Sequence, residues 1–146
     1  MLAGSYSVTV ARPAGLVFEH IADGTRNPTW RGHITEMVVV SGEGGAGSVW
    51  RQVTRGAGGR LLELEYRVTA CEPPHRFAFV LVSGPMKGSG EYTLTEPAAG
   101  ETVVTLELSL TPRGLMPGLT GLTRRQMATE LDSLDRLREL FSAPAP

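Results

Sequence analysis

Gly42, Gly44 and Gly47 spell the G-x-G-x-x-G spacing that lets a backbone approach a pyrophosphate. Such a site needs a helix N-terminus directly afterwards. The residues that follow, SVWRQV, read as a strand, so these glycines belong to a hairpin loop. The three histidines, His20, His33 and His75, have no partner at ligand spacing. A metal needs three or four convergent ligands, and neither a metal nor a cofactor is expected. Cys71, the single cysteine, ends an apolar-faced strand with no base or positive field beside it. It reads as a small hydrophobe rather than an activated nucleophile. Glu63 and Glu65 share one strand face about 7 Å apart, a spacing that invites comparison with glycosidase carboxylates. Their strand-mates Arg67 and Thr69 make that face a solvated surface. Arg51 is open to two readings. If Val49 and Val53 point inward, Arg51 does too, and a buried guanidinium needs an anionic or carbonyl partner. If Trp50 and Gln52 point inward, Arg51 is exposed. Arg124 and Arg125 read as a solvated patch, or else as a rim that receives a carrier's phosphate.

The elements that would position any of these groups are legible from hydrophobic period. Residues 5–11, SYSVTVA, alternate as a first strand. Pro13 then stands at the first position of a short helix over AGLVFEHIA, ending near Asp23 and Gly24. Asn27–Pro28 reads as a cap and a second proline start, for one further turn over 28–31. From residue 33 the period becomes two. Segments 33–40, 47–55, 60–70, 75–83, 87–95 and 102–111 read as strands, joined by Gly- or Pro-rich connectors too short for anything but antiparallel neighbours. Leu62, Leu64, Tyr66, Val68 and Ala70 share one face, as do Val104, Leu106, Leu108 and Leu110. Phe77, Phe79 and Leu81 form a third apolar row, and Tyr92 with Leu94 a fourth. The sheet has one dry side and one wet side. Residues 115–141 are helical, with Met127, Leu131, Leu134 and Phe141 on one stripe and Leu137 beside it. Glu130 and Gln126 are placed on the remaining, polar side.

Composition bounds the function classes. The 146 residues suit one domain, 1–146, with an ordered core over about 5–141 and a loose tail at 142–146. Hydrophobic residues make up 41% and charged residues 20%, which argues against disorder. With 14 Lys+Arg against 15 Asp+Glu there is no basic surplus, so a partner nucleic acid is not expected. A single cysteine permits no internal disulfide. No run approaches the ~20 apolar residues of a membrane span, and no signal-peptide pattern opens the chain. A cytoplasmic protein is expected.

Strand, two short helices, six antiparallel strands and a long last helix is an order that resembles the START-like, or SRPBCC, superfamily. The resemblance is closest to its bacterial polyketide cyclase/dehydrase and lipid-transport family. It is carried by RPAGLVFEHIADGTRNPTW (12–30), GAGSVWRQV (45–53), YRVTACEPPHRFAF (66–79), SGPMKGSGEYTL (83–94) and the 112–137 stretch. It implies an α+β helix-grip fold, a curved seven-stranded antiparallel sheet wrapped around the C-terminal helix with a deep apolar cavity between them.

On that fold, Trp30, Tyr66, Phe77, Phe79, Met86, Tyr92, Met116, Leu119 and Met127 are the candidate ligand-binding set. His33 follows a turn that resembles the cavity rim, and Arg51 joins the set if it points inward. The expected partner is a hydrophobic small molecule, a polyketide, lipid or aromatic metabolite, in a preformed cavity of roughly 300–1,000 Å³. The alternatives are a polyketide cyclase or dehydratase using His33, Arg51 or Tyr92, and a non-catalytic interaction module with a filled core. Monomer and homodimer are both open, as is gating by residues 84–90.

Overall fold

A computed structural model describes residues 1–55, 59–115 and 117–142. Met116, most of the 56–59 connector and most of the 142–146 tail therefore lie outside the described residues. The elements run β1 (Leu2–Val10), α1 (Ala14–Ala22), a 3-10 turn (Gly24–Thr29), β2 (Ile34–Ser41), β3 (Val49–Arg55), β4 (Leu61–Glu72), β5 (Arg76–Ser83), β6 (Met86–Ala98), β7 (Glu101–Pro112) and α2 (Leu119–Ser142). Among the described residues the strands form one antiparallel sheet in the order β1-β7-β6-β5-β4-β3-β2. Consecutive hairpins build β2 to β7, and β1 closes on β7 from the far side. α1 and the 3-10 turn carry the chain from one edge of the sheet to the other. This is the expected helix-grip fold.

Two caps differ from expectation. Pro13 is the N-cap of α1, in extended conformation, rather than its first helical residue. Asp23, not Asn27, caps the 3-10 turn, accepting from the Thr25 amide, while Pro28 lies inside the turn. Asn27 is instead buried, its side-chain amide donating to the Ile21 and Asp23 carbonyls at 3.4 and 3.2 Å. It ties the end of α1 to the turn that follows.

Curvature comes from irregular register. The pairing shifts between Glu65 and Tyr66 and between Val68 and Ala70 on β4, and twice on β2. Extra residues at such points bend a strand and increase its twist. The sheet thereby wraps α2, which packs against β1 and β7. Close approach needs a bare backbone at Gly4, where a Cβ would stand 2.9 Å from Met127 Sδ and 3.0 Å from Leu131 Cδ1. At the edge, the Tyr6 hydroxyl donates to Asp135 Oδ1 at 2.7 Å, fastening β1 to the helix.

The core combines Val104, Leu106, Leu108 and Leu110 of β7 with Leu134, Leu137 and Phe141 of α2. The N-terminal half of the helix is different. Its buried side carries Thr123, Gln126 and Glu130, which corrects the expected placement of Gln126 and Glu130 on a solvated side. The stripe of Leu134, Leu137 and Phe141 extends backwards at helical spacing onto 130, 126/127 and 123. Geometry fixes which positions are buried, whatever their polarity.

Candidate functional site

Between the concave face of the sheet and α2 lies a cavity. β4 contributes Leu64 and Tyr66, β5 Phe77, Phe79 and Leu81, β6 Met86 and Tyr92, and β7 Leu108 and Leu110. Within each strand these residues are an even number of positions apart, so alternation turns them all to the same side. The lining is aromatic: Tyr66 and Phe79 lie 5.3 Å apart by ring centroid, and Phe77 and Phe79 each lie 6.4 Å from Tyr92. A Cβ at position 90 would run into the Phe79 ring, so Gly90 leaves that ring its place. The cavity has a volume of only about 40 Å³. The preformed cavity of several hundred Å³ expected from the sequence is therefore corrected to a small one, with room for a few waters.

One side of the cavity is polar and built on a buried ion pair. Arg31 and Glu130 are 6% and 8% exposed. Arg31 donates from Nη2 to Glu130 Oε1 at 2.6 Å and from Nε to Oε2 at 3.1 Å. Its Nη1 donates to Asn27 Oδ1 at 2.7 Å and its Nη2 to Gln52 Oε1 at 3.1 Å. Glu130 Oε1 also accepts from His33 Nε2 at 2.7 Å and from Gln126 Nε2 at 3.0 Å. Gln52 passes the chain on to Thr54 Oγ1 at 3.0 Å. A buried charge pair is tolerated when its remaining lone pairs and protons are satisfied, as they are here. Burial by itself pushes the Glu130 carboxyl up, but Arg31 and His33 outweigh it and hold the group at about 2.

The two tyrosines complete the site. Tyr66 and Tyr92 are 6% and 5% exposed, and among the described residues neither hydroxyl has a hydrogen-bond partner. Burial pushes the Tyr66 phenol up to about 12, and burial raises Tyr92 as well; Arg31 opposes the shift at both, and Glu130 adds to it. Both are therefore neutral donors at physiological pH.

Of the residues expected from the sequence, the structure brings Tyr66, Phe77, Phe79, Met86 and Tyr92 together around the cavity. Trp30 is buried behind it, edge-on to Tyr92 at 6.3 Å, its indole donating to the His20 carbonyl. His33 stands outside the lining and holds Glu130 in place. Met127 packs against β1 at Gly4, and Leu119 is half-buried at the start of α2. Neither lines the cavity. Arg51 is a correction. Trp50, Gln52 and Thr54 are the buried residues of β3, so Arg51 projects from the outer face. There it pairs with Glu63 at 3.0 Å and Glu65 at 3.4 Å. Asn27, Arg31, Gln52, Gln126 and Glu130 join the lining without having been expected there. Cys71 is half-buried, and burial raises its thiol away from the thiolate range.

Comparison with known proteins places this geometry. A sequence model for polyketide cyclase/dehydrase and lipid transport matches residues 1–139. No curated protein matches the chain by sequence. Among solved structures, the Zhui aromatase/cyclase from Streptomyces sp. R1128 superposes with a TM-score of 0.76 at 20% identity, covering 94% of this chain and 92% of that one. TTHA0849 from Thermus thermophilus gives 0.76 at 19% identity, covering 94% and 95%. Ara h 8.0201 gives 0.76 at 14% identity, covering 98% and 99%. At these identities the likeness is one of fold.

Proposed function

Because this chain belongs to the polyketide cyclase/dehydrase and lipid transport family of the START-like (SRPBCC) superfamily, we propose that it binds a hydrophobic small molecule between the sheet and α2. The observation that supports this reading is the aromatic and aliphatic cavity at the centre of the core, with neutral phenols on its wall. Burying about 200 Å² of apolar ligand surface contributes on the order of 5 kcal/mol. Part of that offsets the outward movement of side chains that a cavity of about 40 Å³ requires. Met86, flexible and fully buried on the lining, is the side chain best suited to yield.

Titration with the neutral fluorophore N-phenyl-1-naphthylamine tests the proposal. Saturable fluorescence enhancement at one site per chain is expected. Met86→Ala enlarges the cavity and should tighten binding several-fold, while Arg51→Ala, on the outer face, should leave it unchanged. No enhancement in either the parent or Met86→Ala would return the chain to the reading of an interaction module.

A second reading is a cyclase or dehydratase that folds a poly-keto chain in the same cavity. It is favoured by the placement of two un-ionised phenols on the cavity wall, close enough to Arg31 to feel its charge. Catalysis would rest on positioning, with Tyr66 or Tyr92 moving a proton. Product formation that collapses in Tyr92→Phe while ligand affinity persists would separate the enzyme from the carrier.

A further inference from the structure

The polar wall of the cavity contains a cation, yet most of its donors are committed. Four hydrogen bonds leave Arg31, from a guanidinium with five N–H groups. Both oxygens of Glu130 are engaged, one of them three times over. The pair is neutral as a unit, and both Glu130 oxygens and four of the five Arg31 N–H groups are taken up within the wall. A carboxylate entering the cavity would compete with Glu130 for Arg31, and displacing Glu130 would strand a buried anion. Breaking such a pair is strongly unfavourable, because one charge is then left buried and uncompensated. The hydroxyls of Tyr66 and Tyr92 are different. Both side chains are more than nine-tenths buried, and their hydroxyls are without partners among the described residues and able to donate.

Taking the cavity to be a ligand pocket, as proposed above, we infer that it selects ligands whose polar end is a neutral hydrogen-bond acceptor. A ketone, quinone or ester carbonyl would be received by the Tyr66 and Tyr92 hydroxyls, and a carboxylate on the same apolar body is rejected. Arg31 and Glu130 act as a neutral partition rather than as an anion hook. Both phenols stay protonated across the physiological range, burial having raised them. A donated phenol hydrogen bond gives a partner to a hydroxyl that has none among the described residues, and each such bond is worth about a five- to tenfold gain in affinity.

Three probes with one bicyclic body separate the contributions: 2-ethylnaphthalene, 2-acetylnaphthalene and 2-naphthoate, titrated calorimetrically into the full chain at pH 7 and constant ionic strength. The ketone is expected to bind at least fivefold tighter than the hydrocarbon and at least tenfold tighter than the carboxylate. In the Tyr66→Phe/Tyr92→Phe variant, the ketone should lose its advantage while 2-ethylnaphthalene stays within about twofold. Naphthoate binding as tightly as the ketone would overturn the inference, and so would a ketone preference that survives loss of both hydroxyls. In either case, binding of 2-ethylnaphthalene would leave the pocket reading standing. If none of the three binds, the pocket reading fails and this inference falls with it.

Discussion

Glu130 and Arg31 are 99 residues apart in the chain and share two hydrogen bonds in a place that solvent barely reaches. Glu130→Gln removes the charge but keeps the shape, leaving the guanidinium buried without its counter-ion. The expected loss is about 3–5 kcal/mol, read as a lower urea midpoint at pH 7. Replacing both partners with apolar residues, Arg31→Met with Glu130→Leu, should be much milder, because no charge is then buried alone. The pair also sets an acid limit. Its carboxyl is held at about 2 in the folded chain against an ordinary 4.5, so the unfolded chain binds the proton first as pH falls. The stabilisation is complete above about pH 5 and disappears as pH drops through 4.5 toward 2. Urea midpoints measured from pH 7 to pH 3 should fall in the parent and fall less in the double variant. A parallel decline in both would show that the pair is not the acid-sensitive element. None of this is legible from types and spacing. Arg31 and Glu130 are neighbours only after the sheet has curled around α2.

The strands are far more legible than the site, and the reason is period. In β4 and β7 every second residue faces the helix, so Leu64, Tyr66 and Val68, and Leu106, Leu108 and Leu110, announce themselves by alternation alone. α2 is half legible. Its C-terminal half carries Leu134, Leu137 and Phe141 inward, but further up the same stripe is occupied by Glu130, Gln126 and Thr123, which polarity assigns to solvent. Extrapolating the stripe by geometry rather than by hydropathy finds them. β3 shows the same conflict: Trp50, Gln52 and Thr54 face inward while Val49 and Val53 are half-exposed, and a decision by aliphatic residues puts Arg51 inside. Arg113 belongs at this scale too. Its amide donates to Pro85 O at 2.9 Å, and its side chain to Gly84 O at 3.1 Å and Met86 O at 3.4 Å, fastening the turn before β6 to the end of β7. Met86, the first residue of β6 after that turn, lines the cavity. Arg113→Ala should accelerate amide hydrogen exchange over residues 84–88 and speed ligand association while leaving the melting temperature nearly unchanged. Unaltered exchange there would remove Arg113 as a fastening of the turn.

Across the whole molecule, one curved sheet and one helix divide their common core into two regions. Toward the end of α2 the packing is apolar and closed, and Leu134→Ala there should cost about 2–5 kcal/mol, seen by thermal unfolding. Toward its start the core holds the small cavity and the neutral polar wall. Packing is incomplete toward the start of α2 and dense toward its end. Among the described residues no helix is long and apolar enough to cross a membrane. Binding between sheet and helix requires that the small cavity open to admit a neutral apolar ligand. Methyl-labelled NMR of the full chain titrated with 2-acetylnaphthalene tests that opening most directly. Shift changes are expected to concentrate on Met86, Leu64, Leu81, Leu108 and Leu110, with Leu134 and Leu137 little moved. Saturable binding that shifts other methyls and leaves those five in place would contradict it.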